Sequence, residues 1–138
     1  MMISTKGRYA LKVMVELACA DPDKYISLKS IAEKEGISNK YLEAIIKQLV
    51  QGKLVIGLRG KYGGYRLAKD PSLYTVGEII RISEGSLSPV SCLDCQEDAS
   101  CPHSSDCLTL PVWQGLDNVV NEYLNGITLQ DIIKKEQL

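Results

Sequence analysis

Apolar residues recur at helical spacing near the N-terminus of this chain. Residues spaced by three or four positions lie on one side of an α-helix, so this repeat predicts an amphipathic helix. We expect the helix to begin near Ser4 or Thr5 and to end at about Ala20. Cys19 lies within the apolar stretch, where we expect a small buried core residue. The predicted inner side comprises Tyr9, Ala10, Val13, Met14, Leu17 and Ala18.

Two shorter amphipathic stretches follow, over residues 28–35 and 38–50, and only a short Gly36-containing connection separates them. Ser38 is the predicted N-cap of the second helix. Two short helices joined by a glycine-containing turn form the helix-turn-helix pattern, whose second helix enters the major groove of DNA. The inner side of that helix comprises Leu42, Ile45, Ile46, Leu49 and Val50. The outer side comprises Lys40, Ala44, Lys47, Gln48 and Gln51, with Asn39 and Glu43 on its flanks.

A glycine-rich stretch then separates two runs of β-prone residues, 54–58 and 65–67, which predicts a β-hairpin, or wing. Glycines and cations at its tip let the backbone approach a phosphate or a narrow minor groove closely. The tip comprises Arg59, Gly60, Lys61, Tyr62, Gly63 and Gly64. The helix pair alone is also compatible with ordinary core packing. The basic hairpin directly after it favours a winged helix-turn-helix that binds DNA.

The charge distribution supports DNA binding by the same half of the chain. The 138 residues carry a net charge of −1, but residues 1–68 contain 12 Lys and Arg against 6 Asp and Glu. Residues 69–138 contain 4 Lys and Arg against 11 Asp and Glu. A basic half suits the phosphate backbone. No uncharged run approaches the roughly 20 residues that span a bilayer, so we expect a cytoplasmic protein without membrane association.

The second half contains three further predicted helices. Thr75 caps a short one that ends by Gly85, Pro111 begins a long one, and Thr128 caps a last short one. We expect the long helix to form a two-fold dimer rather than to pack on its own domain alone. Proteins that bind palindromic operators need two DNA-binding domains, here called heads, related by a two-fold axis. Its apolar stripe comprises Val112, Trp113, Leu116, Val119, Val120, Tyr123 and Leu124.

The predicted fold is therefore mainly α with a small β-hairpin. We expect a winged helix-turn-helix DNA-binding domain over residues 1–85 and a cysteine-rich loop over residues 86–110. A dimerisation helix and a C-terminal short helix should follow over residues 111–138.

Four of the five cysteines and the single histidine, His103, lie in the predicted loop. In a reducing compartment, clustered thiols more often hold a metal or a cluster, or act as redox switches, than form disulfides. Cys95, Cys101 and Cys107 are separated by five residues each, and Cys92 precedes them. This spacing differs from the two-residue spacing usual in structural zinc sites. The loop is therefore a candidate metal, cluster or redox site.

The chain resembles the winged-helix regulators of the IscR type, whose relatives include the nitric-oxide sensor NsrR and the cysteine-metabolism repressor CymR. The shared motifs are STKGRYA at residues 4–10, YLE at residues 41–43, RGKYGGY at residues 59–65 and the Cys-x5-Cys-x5-Cys spacing. The resemblance covers nearly the whole chain. It implies a homodimeric transcription factor on a palindromic operator, often a repressor of iron–sulfur assembly genes.

The resemblance also implies roles for particular residues. Cys95, Cys101 and Cys107 would ligate a 2Fe–2S cluster. Glu43 stands where the family places a residue that helps to discriminate between two operator classes, and a carboxylate can accept from the cytosine N4 amine. The implied major-groove contacts are Ser38, Asn39, Lys40, Tyr41 and Glu43, and the implied minor-groove contacts are Arg59 and Gly60.

The fourth cluster ligand does not follow from the resemblance. The histidine that completes the site in the IscR type would lie three residues after Cys107, where this chain has Leu110. The nitric-oxide branch uses a carboxylate near the N-terminus, where this chain has Arg8. Cys92 would give four thiolates and His103 would give three thiolates and an imidazole, and the two are equally suitable.

These observations predict a DNA-binding repressor that senses iron–sulfur cluster status. One alternative is a zinc- or thiol-based redox-sensing regulator with the same head and no iron. Another is a winged-helix module that binds protein. An enzyme with a small-molecule substrate is the least favoured, because no Ser/His/Asp or paired-carboxylate arrangement supplies a general base.

Overall fold

The structure is a computed structural model, and it describes residues 3–93 and 107–135. Within these residues the chain forms six α-helices and one antiparallel two-stranded hairpin, which confirms the predicted fold class. Every helix in this part of the chain is too short or too polar to cross a bilayer. The elements are α1 (Thr5–Cys19), α2 (Leu28–Glu35), α3 (Asn39–Gln51), β1 (Val55–Leu58), β2 (Gly64–Leu67), α4 (Val76–Glu84), α5 (Leu110–Asn125) and α6 (Leu129–Lys134).

Side-chain caps begin five of these six helices. In each, a hydroxyl accepts a hydrogen bond from the backbone N–H three residues later, which satisfies a donor that the helix itself cannot pair. The start of α5 is different: Pro111 lies in its first turn, and Thr109 makes no side-chain capping bond. The capping residues are Ser4, Ser27, Ser38, Thr75 and Thr128.

The hydrophobic core is organised around α1, which packs against α2, α3, α4, α6 and β2. Full burial of one valine, leucine, isoleucine or methionine side chain contributes roughly 1.5–3 kcal/mol to the free energy of unfolding. The apolar sides of α1 and α3 therefore determine how the other elements are placed. The core residues from these two helices are Ala10, Val13, Met14, Leu17, Leu42, Ile45, Ile46 and Leu49.

Two side chains that the pattern assigned to the core are exposed. Cys19 lies about 180° around α1 from Ala10 at roughly 100° per residue, so it faces away from the core. Val50 is 39% exposed, because it lies about 80° from Leu42 at the edge of the apolar side of α3. The predictions that these two residues are buried were wrong.

Tyr74 holds the base of the β1–β2 hairpin. Its hydroxyl donates to the carbonyl oxygen of Leu54 at 2.7 Å and accepts from the backbone N–H groups of Ala68 at 2.9 Å and Lys69 at 3.0 Å. Leu54 precedes β1 and Ala68 follows β2. One fully buried side chain therefore joins both ends of the hairpin to the core.

The two C-terminal helices differ in their relation to the core. Leu129 of α6 is fully buried in the core around α1, and Thr75 and Thr128 form an antiparallel bridge. In contrast, α5 has no buried residue and lies on the outside of α4. The predicted boundaries after residues 85 and 110 stay predictions, and residues 94–106 of the loop lie outside the described residues.

We expect Tyr74→Phe to lower the free energy of unfolding by about 1–3 kcal/mol, because buried backbone groups lose a hydrogen-bond partner. Burial raises the pKa of the Tyr74 phenol. The wild type should therefore lose further stability relative to the variant as the pH rises above the ordinary phenol value of 10.0. Urea denaturation measures both effects. Tyr62→Phe, at a ring that is 84% exposed on the hairpin tip, is the matched control, and an equal effect of the two substitutions would contradict the role of Tyr74.

Candidate nucleic-acid interface

The outer side of α3 presents most of the residues that the sequence singled out. Ser38, Asn39, Lys40, Glu43 and Lys47 are exposed. Tyr41 is half-buried. The hydroxyl of Ser38 accepts a hydrogen bond from the backbone N–H of Tyr41 at 3.1 Å, so it also orders the first turn of the helix.

A groove of 680 Å³ separates the outer side of α3 from the wing. Glu43 and Lys47 line it from the helix, while Arg59 and Gly60 line it from the hairpin. Val50, which is exposed rather than part of the core, also lines this groove. The structure therefore brings the two predicted DNA-contacting segments to opposite walls of one depression.

The wing tip extends from residue 59 to residue 64, and Arg59, Gly60, Lys61 and Tyr62 are exposed on it. The ammonium group of Lys61 lies 5.7 Å from the centroid of the Tyr62 ring. Gly63 and Gly64 are half-buried, because the strand returns to the domain at this point. Arg59 and Lys61 therefore lie at the outermost part of the hairpin, where a nucleic-acid backbone can reach them.

A short backbone contact anchors β2 beside α2. Ile26 and Tyr65 exchange two backbone hydrogen bonds of 2.8 Å. Gly64 permits this approach: its φ is +155°, and a Cβ there would collide with the carbonyl oxygen of Ile26. Ser27, the cap of α2, follows directly. The wing and the helix-turn-helix are thus held as one unit, which the sequence patterns did not predict.

Contacts from α1 orient the helix-turn-helix. The rings of Tyr9 in α1 and Tyr41 in α3 meet edge to face, with centroids 6.1 Å apart. The ammonium of Lys34 in α2 lies 2.6 Å from the carboxylate of Glu16 in α1. The hydrogen bond and the charge of Glu16 raise the pKa of Lys34, so the ammonium form of Lys34 is favoured.

Of the candidate cluster ligands, the structure describes Cys92 and Cys107, which are both half-buried and unbridged. Cys95, Cys101 and His103 lie outside the described residues. Within residues 3–93 and 107–135, no three His, Cys, Asp or Glu side chains are arranged to hold a metal ion. The described part of the loop therefore supplies at most two of the predicted ligands.

The Cys107 thiol lies beside hydrogen-bond donors at the start of α5. Its Sγ lies 3.4 Å from the hydroxyl oxygen of Thr109. The hydrogen bond from that hydroxyl, followed by the backbone N–H groups of Thr109 and Leu110, lowers the pKa of the Cys107 thiol. The thiolate is the form that binds metals and iron–sulfur clusters. Leu110 is the first residue of α5, and its aliphatic side chain has no atom that binds a metal.

A family model described as Rrf2, iron-dependent transcriptional regulator, matches residues 3–135 of the chain. The chain belongs to this family. The resemblance to the IscR and CymR regulators is thereby confirmed, and the relatives are named as transcriptional regulators rather than as enzymes. The protein is a winged-helix transcriptional regulator of the DNA-binding helix-turn-helix type.

Two relatives indicate how far the likeness extends. The chain is 41% identical over 132 residues to the regulator CymR of Bacillus subtilis, which covers 96% of this chain and 89% of CymR. It is 35% identical over 138 residues to IscR of Yersinia pseudotuberculosis, which covers 100% of this chain and 82% of IscR.

Solved structures agree with the sequence comparison. The structure of CymR from B. subtilis, described as the global cysteine regulator, matches with a TM-score of 0.78 and 39% identity and covers 99% of both chains. The structure of IscR from T. potens matches with a TM-score of 0.76 and 36% identity, and it covers 98% of this chain and 88% of that one. The likeness therefore includes α5 and α6 as well as the winged-helix domain.

Proposed function

We propose that this regulator is a cytoplasmic homodimeric repressor of iron–sulfur assembly genes whose DNA binding depends on an iron–sulfur cluster. The observation that carries the DNA-binding part is the groove between α3 and the wing, where Glu43 and Lys47 face Arg59 and Gly60. Placing α3 in the major groove of a duplex leaves the wing tip beside the neighbouring backbone and minor groove. Both segments then contact the same duplex.

Different residues of this surface would serve different purposes. Lys40, Lys47 and Lys61 are exposed cations suited to phosphates, which fix the position of the protein without reading sequence. Asn39 and Glu43 carry groups that distinguish base edges, since an amide pairs with adenine and a carboxylate accepts from the amine of cytosine. The wing residues Arg59 and Gly60 would enter the minor groove.

The apolar side of α5 supports the homodimer. Val119 and Tyr123 are 63% and 61% exposed, and Val112, Trp113 and Leu116 are exposed as well. An apolar stripe of this length on one helix is typical of an interface rather than of free surface. A two-fold dimer through α5 would bury it and present two reading heads to a palindromic operator.

The attachment of α5 indicates how the two heads would be spaced. Arg81 of α4 donates to the side-chain oxygens of Asn121 at 2.5 Å and Asn125 at 2.9 Å. These contacts hold the C-terminal half of α5 to its own head. The cysteine-rich loop joins α4 to the other end of α5, so cluster binding by the loop can change the angle between head and helix. A coupling of this kind is worth about 1–3 kcal/mol if typical.

The proposed cluster is a 2Fe–2S centre held by the thiolates of Cys95, Cys101 and Cys107, with Cys92 or His103 as the fourth ligand. The lowered pKa of the Cys107 thiol supports its role as a thiolate ligand. When bound, such a group supplies sensitivity to oxidants and to iron supply. The residues of this chain bind it and transmit its presence through the loop.

A second candidate is a thiol-based regulator with the same DNA-binding head and no iron. The similarity to CymR, which is described as a cysteine regulator, favours it, as does Leu110 at the position of the histidine in the IscR type. In that case the loop thiols would respond by oxidation or by binding zinc.

We expect Lys40→Ala and Arg59→Ala to weaken binding to a duplex that the wild type selects from a library randomised over about 30 base pairs, roughly three helical turns. Loss of one phosphate contact should reduce the slope of log affinity against log salt by about 1. Fluorescence anisotropy over a range of KCl concentrations measures both effects. Lys134→Ala on α6 is the matched cation control. Unchanged affinity and an unchanged salt slope for both variants would contradict the proposed contacts, and a wild type that selects no duplex would favour a protein-binding module instead.

We expect Leu116→Glu and Val119→Glu to convert the dimer to a monomer, because a carboxylate on the apolar side of α5 would be buried without a partner. Sedimentation velocity measures the change. Gln114→Glu, on the opposite side of the same helix, should leave the dimer intact. A wild type that sediments as a monomer would contradict the proposed homodimer.

We expect anaerobic reconstitution with iron and sulfide to give a brown protein with visible absorption, and Cys95→Ala to remove it. Cys19→Ala is the control, since this exposed thiol lies outside the loop. Affinity for the selected duplex should differ between cluster-bound and cluster-free protein by about 5–150-fold. Mössbauer spectra of Cys92→Ala and His103→Ala should distinguish the two fourth ligands. A colourless reconstituted protein would favour the thiol-based candidate.

A further inference from the structure

The first turn of α1 combines unfavourable charges with a partner from a distant part of the chain. Lys6 and Arg8 lie at the N-terminal end of α1, where the helix dipole is positive, and the first turn carries no acidic residue. Glu84, the last residue of α4, lies against this turn. Its carboxylate supplies the negative charge that the first turn of α1 lacks.

The carboxylate of Glu84 makes three hydrogen bonds to this turn through one oxygen, Oε1. It accepts from the backbone N–H of Ser4 at 2.9 Å, from the Ser4 hydroxyl at 2.5 Å and from the backbone N–H of Gly7 at 3.1 Å. Hydrogen bonds to an ionised acceptor are about twice as strong as neutral ones. A Cβ on Gly7 would collide with this carboxylate, so any larger residue there would displace the Glu84 side chain from the turn.

The first turn of α1, which Glu84 holds, is linked to α3, the proposed DNA-reading helix. Tyr9 follows Gly7 by two residues in α1, and its ring contacts Tyr41 in the first turn of α3. Tyr9 lies in the same continuous helix, so we expect a shift of its first turn to reach Tyr9 and the ring that packs against it. Glu84 is thus linked to the N-terminal turn of α3, whose residues are the proposed base contacts.

Glu84 is also next to the cysteine-rich loop. Gly85 ends α4 with a φ of +84°, and Leu87, two residues later, is buried beside Val76 and Ile80. The start of the loop is therefore firmly attached to α4. A change in the loop that moves the end of α4 would move the partner of the α1 first turn.

We propose that Glu84 is a positioning residue for DNA binding, which holds the first turn of α1 and, through Tyr9 and Tyr41, the first turn of α3. The proposal rests on the proposed DNA-binding function and adds a residue that does not touch DNA. It assigns to the end of α4 a direct connection between the cysteine-rich loop and the reading helix.

Hydrogen exchange of the free protein tests the positioning without DNA. Glu84→Ala should accelerate amide exchange in the first turn of α1 and also in the first turn of α3. Glu78→Ala is the matched control, because Glu78 lies on the same helix and its carboxylate faces Lys69 at 3.9 Å instead. Glu84→Gln retains an acceptor oxygen and should restore part of the protection. Acceleration in α1 alone would overturn the proposal.

A double-mutant cycle on the selected duplex tests the consequence for binding. Glu84→Ala should lower the affinity by about tenfold, as expected for a lost network of charge-assisted hydrogen bonds, and Glu84→Gln should lower it less. Tyr9→Leu should also lower it, and the double variant should bind no more weakly than the weaker single variant, since both act through one contact. Additive effects, or wild-type affinity of Glu84→Ala, would overturn the proposal.

The exchange and binding experiments together distinguish a failure of this proposal from a failure of the proposed function. A wild type that selects no duplex would refute the proposed DNA binding, and the exchange pattern would still decide whether Glu84 holds α3. A wild type that binds while Glu84→Ala binds equally well would refute the role of Glu84 alone.

Discussion

Burial of one side of α3 is the constraint on which the rest of this structure depends. Leu42, Ile45 and Leu49 are almost completely buried against α1, so the rotation of α3 about its own axis is determined. Once that rotation is set, Asn39, Lys40, Glu43 and Lys47 must face outward, because they occupy the remaining positions of the same helical turns. The reading surface is therefore a geometric consequence of the core.

The wing is placed by a second set of contacts, which are polar and involve the backbone. Tyr74 joins the two ends of the hairpin to the core, and the exchange of hydrogen bonds between Ile26 and Tyr65 fixes β2 beside the cap of α2. Both sets pair backbone groups at the ends and along the edge of the hairpin, which would otherwise lack these partners. Arg59 and Lys61 can then project from a rigid support, which is the arrangement that phosphate binding requires.

The family assignment agrees with this architecture. The cysteine-rich loop is where this chain departs from the IscR pattern. Similarity to both CymR and IscR is compatible with two kinds of signal on one DNA-binding head. Leu110 departs from the IscR pattern, whereas the spacing of Cys95, Cys101 and Cys107 follows it. Under either proposed function, the chemistry of the loop would set the signal and the same DNA-binding domain would serve it.

Local periodicity and hydrogen bonds between near neighbours are sufficient to predict the helices, most of their caps, the wing and the exposed residues on α3. Which distant residues meet depends instead on how the elements pack in the complete fold. Glu84 contacts Ser4 across 80 positions of the chain, and Tyr74 contacts Leu54 across 20, with no local pattern to indicate either. The exposure of Cys19 and Val50 was also decided there, since apolar character alone does not reveal where the buried side of a helix ends.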